Sequence, residues 1–194
     1  IVTYCDFHAM WNISEMLNQL DGFDGSLLTY SGFHPHMYRN TKYAYAFFDH
    51  KNILREIREK EAFTKYPMSE AASAGVYGFK TGRVLVNSIK KQIKNDMSTS
   101  NEYYLSLTLQ TMLNSGMKIN HVSAQYFSQW GTPEDVADWC YWHDSLKALA
   151  KVKPLNNRKR NKRNNSVVIL LAAGRGKRIK ELTSSEKADI KIGG

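Results

Sequence analysis

The sequence predicts an α/β fold, and three observations carry this prediction. Segments rich in apolar and β-branched residues alternate with segments of helical spacing, the order typical of α/β domains. Near the end of the chain, an apolar run at 167–171 leads into a Gly-x-Gly turn, as a buried parallel strand leads into a loop that accepts phosphate. Thr132-Pro133-Glu134-Asp135 has the composition of a helix start: an N-cap, a proline at the first position and acids in the first turn.

The remaining elements follow from local composition. Apolar, aromatic or β-branched content predicts strands at 1–4, 26–31, 43–48, 52–58, 76–79 and 118–124. Helical spacing predicts helices at 13–20, 83–94 and 102–115, and the helix that begins after Thr132 is expected to run to about residue 150. The first strand ends in front of Asp6, where a parallel sheet places its ligands.

The net charge of +9 is concentrated in one segment of the 194-residue chain. Residues 1–150 hold 14 basic and 15 acidic residues, whereas 151–165 hold seven basic residues and no acid. We therefore predict a body at 1–150, a flexible basic linker at 151–165 and a separate segment at 166–194. The body is not expected to bind nucleic acid specifically; incidental binding of RNA or an anionic membrane by the linker is the alternative.

No apolar run reaches the roughly 18 residues that a membrane span needs, and the first residues lack the pattern of a secretory signal. Cys5 and Cys140 lie far apart in apolar surroundings. Two buried thiols of a cytoplasmic protein are the favoured interpretation, and a disulfide or a metal pair is the alternative.

Six quoted segments together resemble the sugar-phosphate nucleotidyltransferase family, whose members make NDP-sugars. The segments are VTYCDF, IREKE, ASAGVYGF, NEYYLS, WGTPEDV and the tail LLAAGRGKRIKELTSSEKADIKIGG. The resemblance implies a Rossmann-like nucleotide-diphospho-sugar transferase fold with a mixed, mainly parallel sheet. It also implies that the fold is incomplete: residues 1–150 are similar to the later two-thirds of one domain, and 166–194 to the opening of a second, as in a piece of a longer tandem protein.

The resemblance also implies an activity. The oxygen of a sugar 1-phosphate would attack the α-phosphate of an NTP with the help of Mg²⁺, releasing pyrophosphate and supplying activated sugar or a related head group for surface polysaccharide in the cytoplasm. The alternative is a catalytically degenerate module that binds a sugar phosphate or serves regulation or assembly. Which of the two applies is left open at this point.

Asp6 corresponds to the first metal ligand of the family. The family's second metal-binding Asp is replaced here by Gln129, a neutral amide. This difference favours weak or absent turnover in this chain. For Asp6 alone, a turn or a helix cap is the alternative role.

Four residues match the family's sugar pocket: Glu59, Lys60, Gly75 and Glu102. The Glu59 carboxylate would accept sugar hydroxyls and the Lys60 amine would face phosphate; an exposed ion pair is the alternative. Gly75 would let the backbone approach the sugar, or mark a bend. Glu102 would bind hydroxyls, or lie in the first turn of a helix.

The tail carries the remaining matches. Arg178 and Lys187 correspond to the residues that contact the triphosphate and the transferred phosphate, although Glu186 stands where the family has proline. The nucleotide loop is expected at Leu171, Ala172, Ala173, Gly174 and Gly176. We expect the strand at 167–171 to dock parallel to residues 1–4, within one chain or in a swapped homodimer.

The segment GFHPH places His34 and His36 on either side of a proline. A loop with hydrogen-bonded imidazoles is the favoured interpretation, because no cysteine or third histidine is close in sequence. Zinc binding is the alternative.

Overall fold

The fold was obtained from a computed structural model, which describes residues 1–32, 34, 37 and 43–151. Ile1–Lys151 form one compact unit. The predictions for the linker and the tail, including the nucleotide loop, Arg178, Lys187 and the docked strand at 167–171, lie outside the described residues, as does His36.

Eight strands and four helices alternate through the described chain. They are β1 Val2–Thr3, β2 Phe7–Met10, α1 Ile13–Gln19, β3 Gly25–Tyr30, β4 Ala44–Phe48, β5 Leu54–Glu59, β6 Ala71–Phe79, α2 Gly82–Lys94, α3 Leu105–Leu113, β7 Ile119–Ser123, β8 Tyr126–Gln129 and α4 Pro133–Lys151. A short 3₁₀ turn at Pro67–Ser69 precedes β6.

Six of the strands form one mixed sheet around β6. Its order is β5-β4-β6-β3-β7, and β1 also pairs with β6. β3 runs along one edge of β6, while the other edge is shared: the start of β6 pairs with β4, and its end pairs with β1. Opposite Leu28, three residues of β6 (74–76) stand between the paired Ser73 and Tyr77, so β6 bulges at the point where its partner changes.

The α/β prediction is confirmed, but the prediction of a mainly parallel sheet is wrong for the described strands. Only the pairing of β3 with β7 is parallel there; the others are antiparallel. The connections explain the difference. β4 and β5 are joined by a short turn, which permits only antiparallel pairing, whereas the chain between β3 and β7 includes two helices.

The sheet is covered on both faces by apolar side chains. Consecutive residues of β3 enter opposite clusters: Leu28 packs with Met16 of α1, and Leu27 packs with Leu109 and Met112 of α3. This alternation follows from the period of two in a strand. The result is a three-layer arrangement with α1 on one face and α3 on the other.

Strands β2 and β8 form a separate two-stranded sheet that the sequence analysis did not predict. Its buried anchor is Phe127, whose ring stacks on Tyr30 of β3 at a centroid distance of 4.0 Å and on Phe7 at 5.6 Å. This small sheet places Gln129, the last residue of β8, next to Asp6, which directly precedes β2.

Polar side chains begin three of the helices. Asn12 accepts from the amides of Ser14 and Glu15 at α1, and Thr81 accepts from Val84 at α2. The expected cap at α4 is confirmed, because Thr132 accepts from the Asp135 amide at 3.2 Å.

The helix predicted from residue 102 starts later, since α3 begins at Leu105. Glu102 instead pairs with Thr99 across a tight turn, in which Ser100 and Asn101 both have positive φ, 53° and 61°. Tyr104 has an extended backbone, with φ of −105° and ψ of 147°, so no helix can run from Glu102 into α3.

Both cysteines are free and exposed, so the prediction of two buried thiols is wrong. Cys5 lies in the connection between β1 and β2, and Cys140 lies on α4, a helix without a buried residue. Across the described residues, no helix has the length and apolar character needed to cross a membrane.

For His34, the prediction of a hydrogen-bonded imidazole in a loop is confirmed. Its ring nitrogen Nε2 lies 3.3 Å from the Ser31 carbonyl, and its ring meets Tyr30 edge-on. Burial lowers the pKa of His34.

Candidate active site

A cavity of about 250 Å³ opens where β6 changes partner from β4 to β1. Because the two partner strands diverge at the bulge, side chains from several elements reach the same space. The lining residues are Tyr4, Asp6, Phe7, Tyr43, Ala44, Glu59, Lys60, Ser73, Ala74, Gly75, Tyr77, Tyr104, Phe127 and Gln129.

Gly75 lies at the bulge and is required there for two reasons. Its φ of +77° belongs to the left-handed region that side chains disfavour. A Cβ at this position would also lie 2.8 Å from Cδ2 of Tyr4. The Tyr4 amide donates to the Gly75 carbonyl at 3.0 Å, so the ring is held against the glycine. The absence of a side chain at Gly75 therefore lets the Tyr4 ring pack there and form part of the cavity wall.

Asp6 and Gln129 are brought together at the end of the small sheet. The Trp130 amide donates to the Asp6 carbonyl at 2.8 Å. A Cβ on Gly131 would lie 2.5 Å from Gln129 Nε2 and 3.0 Å from Asp6 Oδ2. A side chain at position 131 would displace the ends of both side chains, whose nitrogen and oxygen atoms lie close to the glycine.

Glu59 closes β5 and is partly buried in the cavity wall. Ser106, at the start of α3 and fully buried, donates a hydrogen bond to its carboxylate. Burial raises the pKa of Glu59, while the Ser106 hydroxyl and the Lys60 ammonium oppose that increase. The side chain is thus a fixed hydrogen-bond acceptor facing the cavity.

Lys60 follows directly, in a left-handed backbone conformation with φ of 61°. Its amide donates to the Tyr43 carbonyl at 3.0 Å. Its ammonium donates to the Tyr104 hydroxyl and lies 3.5 Å from Oε2 of Glu102. Among the described residues that line the cavity, Lys60 is the one cationic side chain.

Glu102 contacts this lysine and does not belong to the cavity lining. Its carboxylate accepts from the Tyr104 hydroxyl and from Lys60. These two hydrogen bonds lower the pKa of Glu102, with Tyr104 the main cause. The side chain is 64% exposed.

The structure thus places Asp6, Glu59, Lys60 and Gly75 around one cavity and Glu102 beside it. The sequence analysis did not assign Tyr4, Tyr104 or Ser106 to the site. All three lie within quoted segments. A tyrosine in an apolar stretch more often belongs to a core, and no spacing marks these tyrosines or the serine as site residues.

Asp6 and Gln129 offer oxygen atoms of the kind that Mg²⁺ binds. Mg²⁺ is usually held by one or two carboxylates together with waters and substrate phosphates. Asp6 supplies one carboxylate, and Nε2 of the Gln129 amide lies beside it at Gly131. A half-turn of that amide would present its oxygen instead, so the pair fits a site with one carboxylate. Within the described residues, no group of three or more His, Cys, Asp or Glu side chains is arranged to hold a metal without substrate.

No family model and no curated protein matches the sequence. Solved structures do match the fold. The nucleoside-diphosphate-sugar pyrophosphorylase from Vibrio cholerae RC9 aligns with a TM-score of 0.51 and 16% identity, over 64% of this chain and 49% of that chain. The inositol-1-phosphate CTP transferase from T. maritima aligns with a TM-score of 0.43 and 18% identity, over 63% of this chain and 45% of that chain.

This chain spans about half the length of the structures that it matches. At 16% identity the likeness to the pyrophosphorylase shows the fold alone, and it agrees with the fold that the quoted segments implied. The chain is therefore similar, over 64% of its length, to a sugar nucleotidyltransferase and has a nucleotidyltransferase-like fold.

Proposed function

We propose that the cavity binds a sugar 1-phosphate, or a related phosphorylated head group, as the acceptor of nucleotidyl transfer from an NTP. The observation that carries the proposal is the convergence of Glu59 and Lys60 with Asp6 and Gln129 in one cavity. Glu59 offers an acceptor for hydroxyl groups, and Lys60 offers a positive charge for phosphate. Such an arrangement suits a ligand that carries both.

The size and walls of the cavity support a small acceptor. About 250 Å³ is below the range of roughly 300–1,000 Å³ that drug-sized ligands occupy, so a monosaccharide-sized group fits better than a whole NDP-sugar. Aromatic rings contribute much of the wall, and they suit the apolar C–H faces of a sugar. These rings belong to Tyr4, Phe7, Tyr43, Tyr77, Tyr104 and Phe127.

In this proposal the protein acts mainly by positioning and by charge. Transfer of a nucleotidyl group requires alignment of the acceptor oxygen and neutralisation of the phosphates, with little acid–base chemistry. Lys60 would hold the acceptor phosphate while Glu59 orients the hydroxyls. Asp6 and Gln129 would hold Mg²⁺, which neutralises phosphate charge when bound.

The biological setting is part of the same proposal. Activated sugar would serve surface polysaccharide synthesis in the cytoplasm, where NTPs are available. Two free exposed thiols, Cys5 and Cys140, suit a reducing compartment.

The test is an NMR titration of the ¹⁵N-labelled full chain with glucose, mannose and N-acetylglucosamine 1-phosphates. We expect at least one of them to shift the amides of Glu59, Lys60 and Gly75 together. Perturbations confined to other parts of the chain, or the absence of any shift at millimolar ligand, would contradict the proposal.

Matched variants connect the shifts to the cavity. Glu59→Gln and Lys60→Met should each weaken binding of the sugar phosphate about ten- to a hundredfold, which corresponds to the roughly 1.5–3 kcal/mol of one lost charge-assisted hydrogen bond. Glu61→Gln serves as the control, because that side chain is 70% exposed and pairs with Arg58. If all three variants bind the sugar phosphate as tightly as the wild-type chain does, the ligand binds outside the cavity.

A second candidate function is a binding or regulatory module without catalysis. Gln129 favours it, because an amide at the second metal position adds no negative charge. Such a module would bind the sugar phosphate in the same titration and release no pyrophosphate from any NTP. The two candidates therefore differ in turnover and not in acceptor binding.

A further inference from the structure

The Tyr104 hydroxyl lies between two charged groups at the rim of the cavity. The Lys60 ammonium donates to this hydroxyl, and the hydroxyl donates to the Glu102 carboxylate. The ammonium also lies 4.6 Å from the centroid of the Tyr104 ring. Lys60 is therefore held by a hydroxyl, a ring and a carboxylate, all from one short segment.

That segment is itself fixed to the body of the protein. Gln92 of α2 is buried, and its side-chain nitrogen donates to the carbonyls of Met97 and Tyr104, each at 3.1 Å. The tight turn at Ser100 and Asn101 closes the segment between them. Tyr104 thus has a position set by the fold before any ligand arrives.

The hydrogen bonds leave Lys60 able to bind a ligand. An ammonium has three N–H donors, and its described contacts engage Tyr104 and Glu102. Lys60 lines the cavity, whereas Glu102 does not belong to its lining. The fixed ammonium can therefore donate into the cavity without losing its anchors.

We propose that Tyr104 is a positioning residue that holds the Lys60 ammonium at the cavity and so favours phosphorylated acceptors over the corresponding free sugars. This inference rests on the proposed function, because it assigns Lys60 to the acceptor phosphate. A free lysine side chain has many rotamers, and fixing it beforehand removes that entropic loss from ligand binding.

The charges around Lys60 support this role. Glu59 faces it from β5, and Glu102 and Tyr104 face it from the turn segment. The hydrogen bond with Tyr104 is the main reason that the pKa of Lys60 is raised, and Glu102 adds to the increase. A lysine is already charged in the neutral range, and these contacts further oppose its deprotonation.

The first measurement is a titration of Lys60 in the full chain by the ¹³Cε resonance of labelled lysine, with the signal assigned through Lys60→Met. Tyr104→Phe removes the hydroxyl and keeps the ring, so we expect the pKa of Lys60 to fall toward its ordinary value. Tyr103→Phe is the control, since its exposed hydroxyl donates to Asp96 at 2.9 Å instead. An unchanged Lys60 titration in Tyr104→Phe would overturn the positioning role.

The second measurement compares glucose 1-phosphate with glucose in the same NMR titration, or the sugar phosphate found to bind best with its free sugar. We expect Tyr104→Phe to weaken the sugar phosphate about tenfold and to leave the free sugar unchanged. Equal affinity of the wild-type chain and Tyr104→Phe for the sugar phosphate would overturn the proposed preference while the proposed function stands.

If no sugar phosphate binds the wild-type chain, the proposed function fails and the acceptor preference fails with it. The Lys60 titration still decides whether Tyr104 positions the ammonium. An unchanged amide spectrum outside the turn segment establishes that Tyr104→Phe is folded. Tyr104→Leu, which removes ring and hydroxyl, should lower the Lys60 pKa at least as far as Tyr104→Phe does.

Discussion

At the scale of single residues, the site depends on positions where a side chain is excluded. Gly75 and Gly131 each occupy a place where a Cβ would meet a cavity residue, Tyr4 in the first case and Gln129 with Asp6 in the second. Gly75 also has a left-handed φ of +77°, so a substitution there adds backbone strain to the contact. A control glycine with a similar φ and no close neighbour separates the two effects.

Gly75→Ala should destabilise the fold by about 2–4 kcal/mol, because it combines left-handed strain of roughly 1–2 kcal/mol with the clash against Tyr4. Gly116→Ala is the matched control: its φ is +78°, and a Cβ there meets nothing within 4 Å. Urea unfolding of both variants gives the two costs.

The contact with Tyr4 can be isolated further. In a Tyr4→Ala background, Gly75→Ala should cost no more than Gly116→Ala, because only the backbone strain then remains. A full cost in that background would mean that Tyr4 is not the group that excludes the side chain.

Glu59 should make stability depend on pH. Burial raises its folded-state pKa above the unfolded value of 4.5, so the stability it contributes is complete below 4.5 and is lost as the pH rises through the folded pKa. Relative to Glu59→Gln, the wild-type chain should therefore gain stability between pH 7 and pH 4. Unfolding free energies across this range, with Glu61→Gln as the exposed control, provide the check. A wild-type chain that loses stability relative to Glu59→Gln on acidification would contradict the assignment.

The sequence indicated several residues of the site but not the side chains that hold them in place. Asp6, Glu59, Lys60 and Gly75 stand in quoted motifs, and the structure places them around one cavity. Ser106 and the Tyr104 hydroxyl act on those residues from other elements, and such contacts are set by tertiary packing rather than by spacing along the chain. The exposure of the two cysteines was missed for the same reason.

At the scale of elements, the bulge in β6 and the turn segment before α3 shape the cavity. The sequence predicted most helices and strands because their apolar periodicity is strong. It did not predict β2 and β8, which are four residues each. These strands pair with each other although they lie at distant positions in the chain. It also began α3 too early, at Glu102, because helical spacing alone does not reveal the extended backbone of Tyr104.

Gln92 connects α2 to that turn segment. Gln92→Ala should destabilise the protein by about 2–4 kcal/mol, because it leaves the Thr108 hydroxyl and the carbonyls of Met97 and Tyr104 without their partner. Faster amide hydrogen exchange across 97–104 should accompany the loss.

Lys90→Ala, on the exposed side of the same helix, controls for a change in helix propensity. The assignment of Gln92 as an anchor would fail if the two substitutions cost the same, or if exchange in the turn segment did not change.

At the scale of the whole molecule, the described unit combines a cavity of about 250 Å³ with one carboxylate, that of Asp6, at the proposed metal position. We expect this chain to release pyrophosphate from NTP and sugar 1-phosphate very slowly or not at all, since Gln129 supplies no charge for a second ligand position. Gln129→Asp should increase the affinity for Mg²⁺ roughly tenfold. The thermal stabilisation by Mg²⁺ and any release of pyrophosphate should increase with it.

Gln125→Asp controls for the added charge, because Gln125 is exposed at the opposite end of the small sheet, beside Met10. Rapid pyrophosphate release by the wild-type chain that Asp6→Ala abolishes would contradict the prediction.

The pairing of β2 with β8 has a consequence for how the protein is made. His8 pairs with Ser128, about 120 positions further along, and a ribosome adding about 5–20 residues per second needs roughly 6–24 seconds to cover that interval. During this time a nascent chain already contains β3 to β6 and can begin its main sheet. Asp6 meets Gln129 only after β8 has left the exit tunnel. The part of the cavity wall formed by Phe127 and Gln129 is thus added late, and synthesis that stops before Tyr126 leaves a chain that has β1 to β7 and lacks that wall.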